Sequence, residues 1–137
     1  MKTAIDIKAK KILIVEDDKD INNLIDYNLS KSGYKTECVF DGVSAQEKLV
    51  TEFFDVVILD VMLPGLNGFK ICEFIKQNPE ISQTFVLMVT ARAQPLDKIY
   101  GDTLGADYYM TKPFSVKELI KVIDESYYQK KELKQSI

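Results

Sequence analysis

Several polar side chains stand directly after apolar runs of this sequence, where a buried strand would end. The clearest is Asp60, which follows the apolar run Val56–Leu59 and precedes a Pro-Gly loop. A carboxylate at the edge of a buried strand is costly unless it has a charged partner, a metal ion or a chemical role. The other candidates follow three further apolar runs: Glu16, Asp17, Thr90 and Lys112.

Each of these residues also has an ordinary structural explanation. Asp17 or Asp18 is well suited to cap a helix that begins beside it. Thr90 is a β-branched residue of the kind that strands favour, and Lys112 is typical of a solvated loop. Asp60 is the exception, because nothing in its neighbourhood accounts for a carboxylate there.

Taken together, the same residues indicate phosphoryl-transfer chemistry. Three carboxylates (Glu16, Asp17 and Asp60) meeting at one place repel each other unless a cation lies among them. The chain has no histidine, so a metal site must use oxygen ligands, which selects Mg²⁺, Mn²⁺ or Ca²⁺. Mg²⁺ fits best, with Mn²⁺ as a substitute, because Mg²⁺ needs few protein ligands and keeps waters that a phosphate can replace. Lys112 adds a positive charge and Thr90 a hydroxyl group. A carboxylate nucleophile surrounded by these groups has the parts needed to become an acyl phosphate.

The elements that must position these residues alternate between apolar runs and helical periods. The predicted strands are Lys11–Val15, Lys35–Phe40, Asp55–Leu59, Phe85–Thr90 and Asp107–Thr111. The predicted helices lie between and after them, with the third at Gly68–Gln77 and a weaker fourth at Leu96–Leu104, which contains Gly101 and Thr103. Five strands alternating with five helices predict an α/β fold, a doubly wound parallel sheet whose functional crevice lies at the carboxyl ends of the strands.

Helical spacing predicts which side chains face the core. In the first helix these are Ile21, Leu24, Ile25 and Leu29; in the second they are Val43, Ala45 and Leu49; in the third they are Phe69, Cys72 and Ile75. In the last helix they are Val116, Leu119, Ile120, Ile123 and Tyr127. Ser115 and Glu118 form a capping-box pattern at its start.

Composition excludes several other classes of protein. The chain of 137 residues suffices for one domain, with 46% hydrophobic and 28% charged residues. No apolar run approaches the roughly 20 residues that cross a bilayer, and the N-terminus has no signal-peptide core, so we expect a cytoplasmic protein without a membrane partner. Cys38 and Cys72 make no metal spacing and fit buried free thiols. A net charge of −3 argues against nucleic acid as the partner of this domain.

Four separate segments resemble one family. They are "ILIVEDD", "VVILDVMLPGLNGF", "VTA" and "GADYYMTKPF", and they are similar to the signature segments of two-component response regulator receiver domains. The resemblance implies a receiver domain at residues 11–128, after an N-terminal extension at 1–10 and before a tail at 129–137. It also implies a flavodoxin-like receiver fold with strand order 2-1-3-4-5.

The resemblance assigns roles to individual residues. Asp60 resembles the phosphoacceptor, and Asp17 a direct Mg²⁺ ligand, with Glu16 assisting through water and Met62 offering its backbone carbonyl. Thr90 and Lys112 resemble the hydroxyl and the lysine that hold the phosphoryl group. Tyr109 resembles the aromatic switch that turns inward when Thr90 moves. Met62 and Arg92 flank the site, at positions that tune the lifetime of the acyl phosphate in the family.

The resemblance also implies partners and leaves alternatives. A sensor histidine kinase or a histidine phosphotransfer protein would phosphorylate the domain, and a downstream protein or an output domain outside this chain would read a change at the fourth helix, fifth strand and fifth helix. Kinase specificity is predicted on the exposed face of the first helix, at Lys19, Asn22, Asn23 and Asp26. Tyr108 and Val122 depart from the dimer interface of the winged-helix branch, so a monomer and a phosphorylation-dependent dimer both stay open. The alternatives are a phosphate-independent interaction module and a Mg²⁺-dependent aspartyl phosphohydrolase; the latter lacks a general acid at Met62.

Overall fold

The structure is a computed structural model, and it describes residues 10–92 and 94–127. Most of the predicted extension at 1–10 and all of the predicted tail at 129–137 therefore lie outside the described residues. In the part of the chain that is described, no helix is long and apolar enough to cross a membrane.

Five strands form one parallel sheet. They are β1 (Lys11–Val15), β2 (Lys35–Val39), β3 (Val56–Leu59), β4 (Phe85–Thr90) and β5 (Tyr108–Thr111). Their order is β2-β1-β3-β4-β5, which confirms the predicted order. In the register of the three central strands, Ile14 of β1 pairs with Ile58 of β3, which pairs with Leu87 of β4. The carboxyl ends of β1, β3 and β4 therefore lie side by side.

Helices connect the strands and cover both faces of the sheet. They are α1 (Lys19–Lys31), α2 (Gly42–Thr51), α3 (Gly68–Gln77), α4 (Pro95–Thr103) and α5 (Val116–Val122), which continues into a π-helical turn at Ile123–Tyr127. The observed ends lie within about two residues of the predicted ends for the elements whose bounds were predicted. The first half of the predicted capping box is present, since the Glu118 N–H donates to Ser115 Oγ at 2.9 Å.

The sheet separates two apolar cores. On one side, Leu13 and Val15 of β1 pack with α2 and α3; on the other, Ile12 and Ile14 pack with α1 and α5. All four side chains are fully buried. This explains why the strand reads as a continuous apolar run, because alternate side chains enter opposite cores.

Three side chains lie on a different face of their helix from the one predicted. Leu24 and Val43, both predicted to face the core, are 49% and 53% exposed. Asn22, predicted to lie on an exposed surface, is fully buried, and Asp26 beside it is partly buried and bonds to Thr36. The direction in which α1 packs on the sheet is set by polar contacts at its first turns, which apolar periodicity does not detect.

Candidate functional site

Asp60 lies at the carboxyl end of β3, where the sheet places it beside the ends of its neighbours. Its backbone N–H donates to Val15 O at 3.1 Å, which extends the β1–β3 ladder by one residue. The side chain is 5% exposed. One carboxylate oxygen accepts from the Met62 N–H at 3.0 Å, and the other accepts from Lys112 Nζ at 2.8 Å. Asp60 is thus a buried carboxylate with its charge compensated.

Lys112 joins two carboxylates at the end of β5. Its ammonium group donates to Asp60 and, at 2.6 Å, to Glu16 Oε1. Burial alone would lower the pKa of Lys112, but the hydrogen bonds to Asp60 and Glu16 outweigh it and hold the pKa above its usual value. The backbone N–H of Lys112 donates to Thr90 O at 2.9 Å, and the following peptide bond to Pro113 is cis. Lys112 is therefore charged at neutral pH and fixed to the end of β4.

Glu16 and Asp17 complete an acidic cluster with Asp60. One carboxylate oxygen of each residue lies within 4.8 Å of the others. Burial raises the pKa of Glu16, although the hydrogen bonds from Lys112 and from the Asp18 N–H oppose that rise. Asp17 is exposed, and no donor among the described residues bonds to its carboxylate. The sequence left open whether Asp17 or Asp18 caps the first helix. Asp18 is the cap, since its side chain accepts from the backbone N–H groups of Asp20 and Ile21.

The donor set of this cluster fits Mg²⁺. It consists of oxygen atoms only, and the exposed Asp17 keeps one side open for water and for a phosphate oxygen. Lys112 already neutralises part of the negative charge, so a divalent cation would complete the compensation. The backbone carbonyl of Met62 stays a prediction as a further ligand.

Thr90 and Tyr109 lie beside the cluster on β4 and β5. Thr90 is fully buried, and its hydroxyl accepts from the Arg92 N–H at 3.3 Å. The Tyr109 ring is 7% exposed, and its hydroxyl donates to Arg92 O at 2.9 Å. The ring therefore has the inward orientation in this structure. It fits there because Gly101 has no side chain: a Cβ on Gly101 would lie 3.0 Å from the ring.

Arg92 makes contacts that were not predicted. Its guanidinium group pairs with Asp97 at 2.6 Å and lies over the Phe69 ring, 5.6 Å from the centroid. Phe69 in turn makes an edge-on contact with Tyr100, with the ring centroids 4.7 Å apart. Arg92 thus links the start of α3 with α4 beside the acidic cluster. Side-chain chemistry gave no signal of this, because the contacts depend on how the two helices pack.

Gly68 was not assigned a role in the site from the sequence. A Cβ at this position would lie 2.1 Å from Asp60 O, and the Gly68 N–H donates to Val61 O at 2.9 Å. The loop that follows Asp60 therefore turns back tightly against β3. The sequence signals were the place of this glycine within the segment "VVILDVMLPGLNGF" and at the start of a predicted helix.

The structure brings most of the predicted site residues together. Glu16, Asp17 and Asp60 form one cluster, and Lys112 bonds to two of its members. Thr90 ends the strand between those that carry Asp60 and Lys112. The predicted specificity residues are not together, since Lys19 and Asn23 are exposed whereas Asn22 is buried.

Known proteins are similar to this chain in sequence and in fold. The family described as "Response regulator receiver domain" matches residues 12–124. The receiver domain of Francisella response regulator 1452 is 32% identical, with a TM-score of 0.81 over 88% of this chain and 98% of that one. The BeF3-activated receiver domain of DrrB from Thermotoga maritima is 32% identical, with a TM-score of 0.79 over 86% and 97%. The chemotaxis response regulator CheY4 of Vibrio cholerae is 30% identical, with a TM-score of 0.81 over 86% and 98%.

A doubly wound parallel sheet of order 2-1-3-4-5, with an acidic cluster and a lysine at its carboxyl end, makes this an α/β domain of the flavodoxin-like type. The match over residues 12–124 makes the family definite. The chain belongs to the receiver domains of two-component response regulators.

Proposed function

We propose that Asp60 accepts a phosphoryl group in a Mg²⁺-dependent reaction and that this controls the binding of a partner protein. The observation that carries the proposal is the pair of contacts made by Lys112, whose ammonium group holds the buried Asp60 and Glu16 carboxylates together. A buried nucleophile, a fixed cation and a cluster of oxygen ligands are the groups that phosphoryl transfer uses.

The covalent step is a displacement at phosphorus. A carboxylate oxygen of Asp60 forms the new P–O bond while the P–N bond of a phosphohistidine breaks, and the electron pair of that bond stays on the imidazole nitrogen of the donor. A small acyl phosphate serves in the same way, with its P–O bond breaking instead. Lys112 then pairs with an oxygen of the phosphoryl group, and Thr90 donates its hydroxyl to another.

Asp17, Glu16 and Asp60 are the residues that would hold Mg²⁺, with Met62 contributing its backbone carbonyl. The bound ion would neutralise charge on the phosphoryl oxygens. In the protein, burial of Glu16 and Asp60 keeps the site at low dielectric, where the charge of Lys112 acts strongly. The domain is a phosphoacceptor that turns over only its own phosphate, rather than an enzyme acting on an external substrate.

The response to phosphorylation is proposed to pass through Thr90 and Tyr109 to α4, β5 and α5. Among the described residues, the Thr90 hydroxyl bonds only to the Arg92 N–H at 3.3 Å, a long bond that a phosphoryl oxygen can replace. The Arg92 carbonyl accepts a hydrogen bond from the Tyr109 hydroxyl. A movement of the Arg92 backbone would therefore affect the side chains of both Thr90 and Tyr109. A sensor histidine kinase or histidine phosphotransfer protein is the proposed donor, and a protein or output domain outside these residues is the proposed receiver.

The test compares the wild-type chain with Asp60→Asn in Mg²⁺ and acetyl phosphate, followed by intact mass. We expect one phosphate-sized mass gain in the wild type and none in Asp60→Asn, because the amide is a poor nucleophile. A second arm uses beryllofluoride, in view of the activated form of the DrrB receiver domain, and follows tyrosine fluorescence.

Lack of any response in the wild type, under conditions where Mg²⁺ binding is measured directly, would overturn the proposal. That result would favour a phosphate-independent interaction module on the same fold. A mass gain that persists in Asp60→Asn would show that another residue is the acceptor.

A further inference from the structure

Asn22 is a buried amide that no part of the proposed chemistry uses. It lies in the second turn of α1 and is fully buried. Its side-chain NH₂ group donates to two backbone carbonyls, Glu16 O at 3.0 Å and Val39 O at 3.0 Å. These carbonyls belong to the residue after β1 and to the last residue of β2. Asn22 therefore connects a helix to the ends of two strands.

The carbonyl oxygen of the same amide has no partner among the described residues. A buried acceptor without a hydrogen bond destabilises a fold, because the group has lost its bonds to water and gained none in return. An apolar side chain would avoid that penalty, so the amide is not explained by packing alone. The hydrogen bonds that its two N–H donors make must therefore stabilise the protein by more than the unsatisfied oxygen destabilises it.

The hydrogen bonds of Asn22 hold the backbone of Glu16, whose carboxylate belongs to the acidic cluster. The Glu16 N–H donates to Val39 O at 3.2 Å, and Asn22 donates to that same oxygen and to Glu16 O. These three hydrogen bonds connect the Glu16 backbone, the Val39 carbonyl and the Asn22 side chain to one another. Beyond the backbone, the Glu16 carboxylate is held by Lys112 at 2.6 Å and by the Asp18 N–H at 3.0 Å.

We infer that Asn22 is a positioning residue for the cation site: it fixes the Glu16 backbone, and so the Glu16 and Asp17 carboxylates, in the arrangement that binds Mg²⁺. Asn22 touches neither the cation nor the phosphoryl group. The inference rests on the proposed function, because it assigns a role within the same site. Groups that orient metal ligands typically change metal affinity by 10–100-fold when removed.

The first variant is Asn22→Leu, which has a similar size, lacks both donors and removes the unsatisfied oxygen. The matched control is Thr84→Val. Thr84 is also buried, and its hydroxyl donates to a backbone carbonyl, Phe54 O at 2.9 Å, at the amino ends of the strands. Both variants remove a buried side-chain bond to a carbonyl, but only one of the bonds lies beside the acidic cluster.

The main readout is the Kd for Mg²⁺, measured by calorimetric titration without a phosphodonor. We expect Asn22→Leu to raise this Kd about tenfold and Thr84→Val to leave it within twofold of the wild type.

A second measurement uses the wild-type chain, so it does not depend on how a variant folds. In NMR spectra, the Asn22 side-chain NH₂ protons should exchange slowly with water. They should also shift on addition of Mg²⁺, with the same midpoint as the backbone amides of Glu16 and Asp17.

Two kinds of result separate this inference from the proposed function. A wild-type chain that binds no Mg²⁺ overturns the proposed function, and the role of Asn22 with it. A wild-type chain that binds Mg²⁺, with a Kd equally changed in Asn22→Leu and Thr84→Val or with an Asn22 NH₂ group that Mg²⁺ leaves unshifted, overturns this inference alone.

Discussion

At the scale of single residues, Lys112 competes with any cation for the same carboxylates. Its ammonium group bonds to Asp60 at 2.8 Å and to Glu16 at 2.6 Å, and its side chain is 18% exposed. A lysine in this position weakens Mg²⁺ binding by charge repulsion, yet it stabilises the negative charge of a phosphoryl group. The two effects have opposite signs and can be measured separately.

We predict that Lys112→Met binds Mg²⁺ several-fold more tightly than the wild type, because a competing positive charge is gone. We also predict that its phosphorylation by acetyl phosphate at saturating Mg²⁺ is slower by about 10²–10³, the usual effect of removing one group that stabilises transition-state charge. Calorimetric titration and intact mass measure the two quantities.

The control for this variant is Lys76→Met. Lys76 is also largely buried, and it pairs with Asp107 at 3.1 Å, away from the acidic cluster. It should lose stability without any change in the Kd for Mg²⁺. Weaker Mg²⁺ binding in Lys112→Met would contradict the competition described above.

Residue by residue, the sequence was informative wherever a side chain follows a strand. Asp60 and Lys112 were predictable because the carboxyl ends of parallel strands meet at one end of a sheet. Asn22 was predicted on the wrong surface, because its partners are backbone carbonyls of Glu16 and Val39. The position of such carbonyls depends on how β1 and β2 pair, and side-chain periodicity carries no record of it.

At the scale of elements, α4 is held less firmly than the other helices. Although Pro95 suits the first helical position, the cap residue Gln94 makes no side-chain hydrogen bond. Leu96 is 78% exposed and Ile99 59%, and Gly101 is the one buried residue of this described helix. The predicted weakness of this helix, argued from Gly101 and Thr103, agrees with these features.

Gly101 links the stability of α4 to the position of Tyr109. Alanine inside a helix is more stable than glycine by about 1 kcal/mol. Here the added Cβ would lie 3.0 Å from the Tyr109 ring. We therefore predict that Gly101→Ala raises the free energy of unfolding by about 1 kcal/mol in a Tyr109→Leu background, but by clearly less in the wild type.

Urea unfolding of the four chains in this cycle measures the difference. An equal gain in both backgrounds would show that the ring moves away without cost, and so would remove Tyr109 from the packing of α4. Tyrosine fluorescence of Gly101→Ala should also differ from that of the wild type.

A ring of four charges connects α2 with the edge of the sheet. Lys11 and Lys48 each pair with both Glu37 and Glu52; the Lys11–Glu37 and Lys48–Glu52 distances are 3.0 and 2.9 Å. The hydrogen bond from Lys11, followed by that from Lys48, lowers the pKa of Glu52 to about 2. A lowered carboxyl pKa stabilises the fold above the usual value near 4.5, and this contribution disappears as the pH falls towards 2.

We predict that Glu52→Gln reduces the loss of stability between pH 4.5 and pH 2, because the variant lacks the carboxylate that must be protonated. Glu47→Gln is the control, since Glu47 is an exposed residue of α2, the helix that Glu52 caps, and has no ion pair among the described residues. Thermal unfolding across this pH range measures the effect. The difference between the variants should shrink in about 1 M salt, where exposed charges are screened.

At the scale of the whole molecule, the site joins parts of the chain that are far apart in sequence. Its residues lie at the carboxyl ends of β1, β3, β4 and β5, so the whole site exists only when these strands are assembled. A ligand that binds only the folded state stabilises it by about 2.7 kcal/mol at a hundred times its Kd.

We therefore predict that Mg²⁺ at a hundred times its Kd raises the melting temperature, by roughly 10 °C for a chain of this size. Asp17→Asn should lose most of this rise, because it removes the exposed carboxylate of the cluster. Differential scanning calorimetry with and without Mg²⁺ measures it. A rise of equal size in Asp17→Asn would place the cation elsewhere on the protein.

The overall architecture followed from the alternation of apolar runs with helical periods, because each run is long enough for a strand buried on both faces. The relative placement of the helices was less predictable. The contact of Arg92 with Phe69 and Asp97 joins two helices whose packing no local pattern specifies.

The contact between Lys112 and Glu16 spans 96 positions of the chain. Synthesis runs from the N-terminus, so the ribosome releases Glu16 early and Lys112 among the last residues of the domain. Until Lys112 emerges, the nascent chain has two carboxylates without their counter-charge and lacks the strand at one edge of the sheet. On the proposed function, a nascent chain that still lacks Lys112 is therefore expected to be a poor phosphoacceptor, because the Asp60 carboxylate has not yet gained its counter-charge.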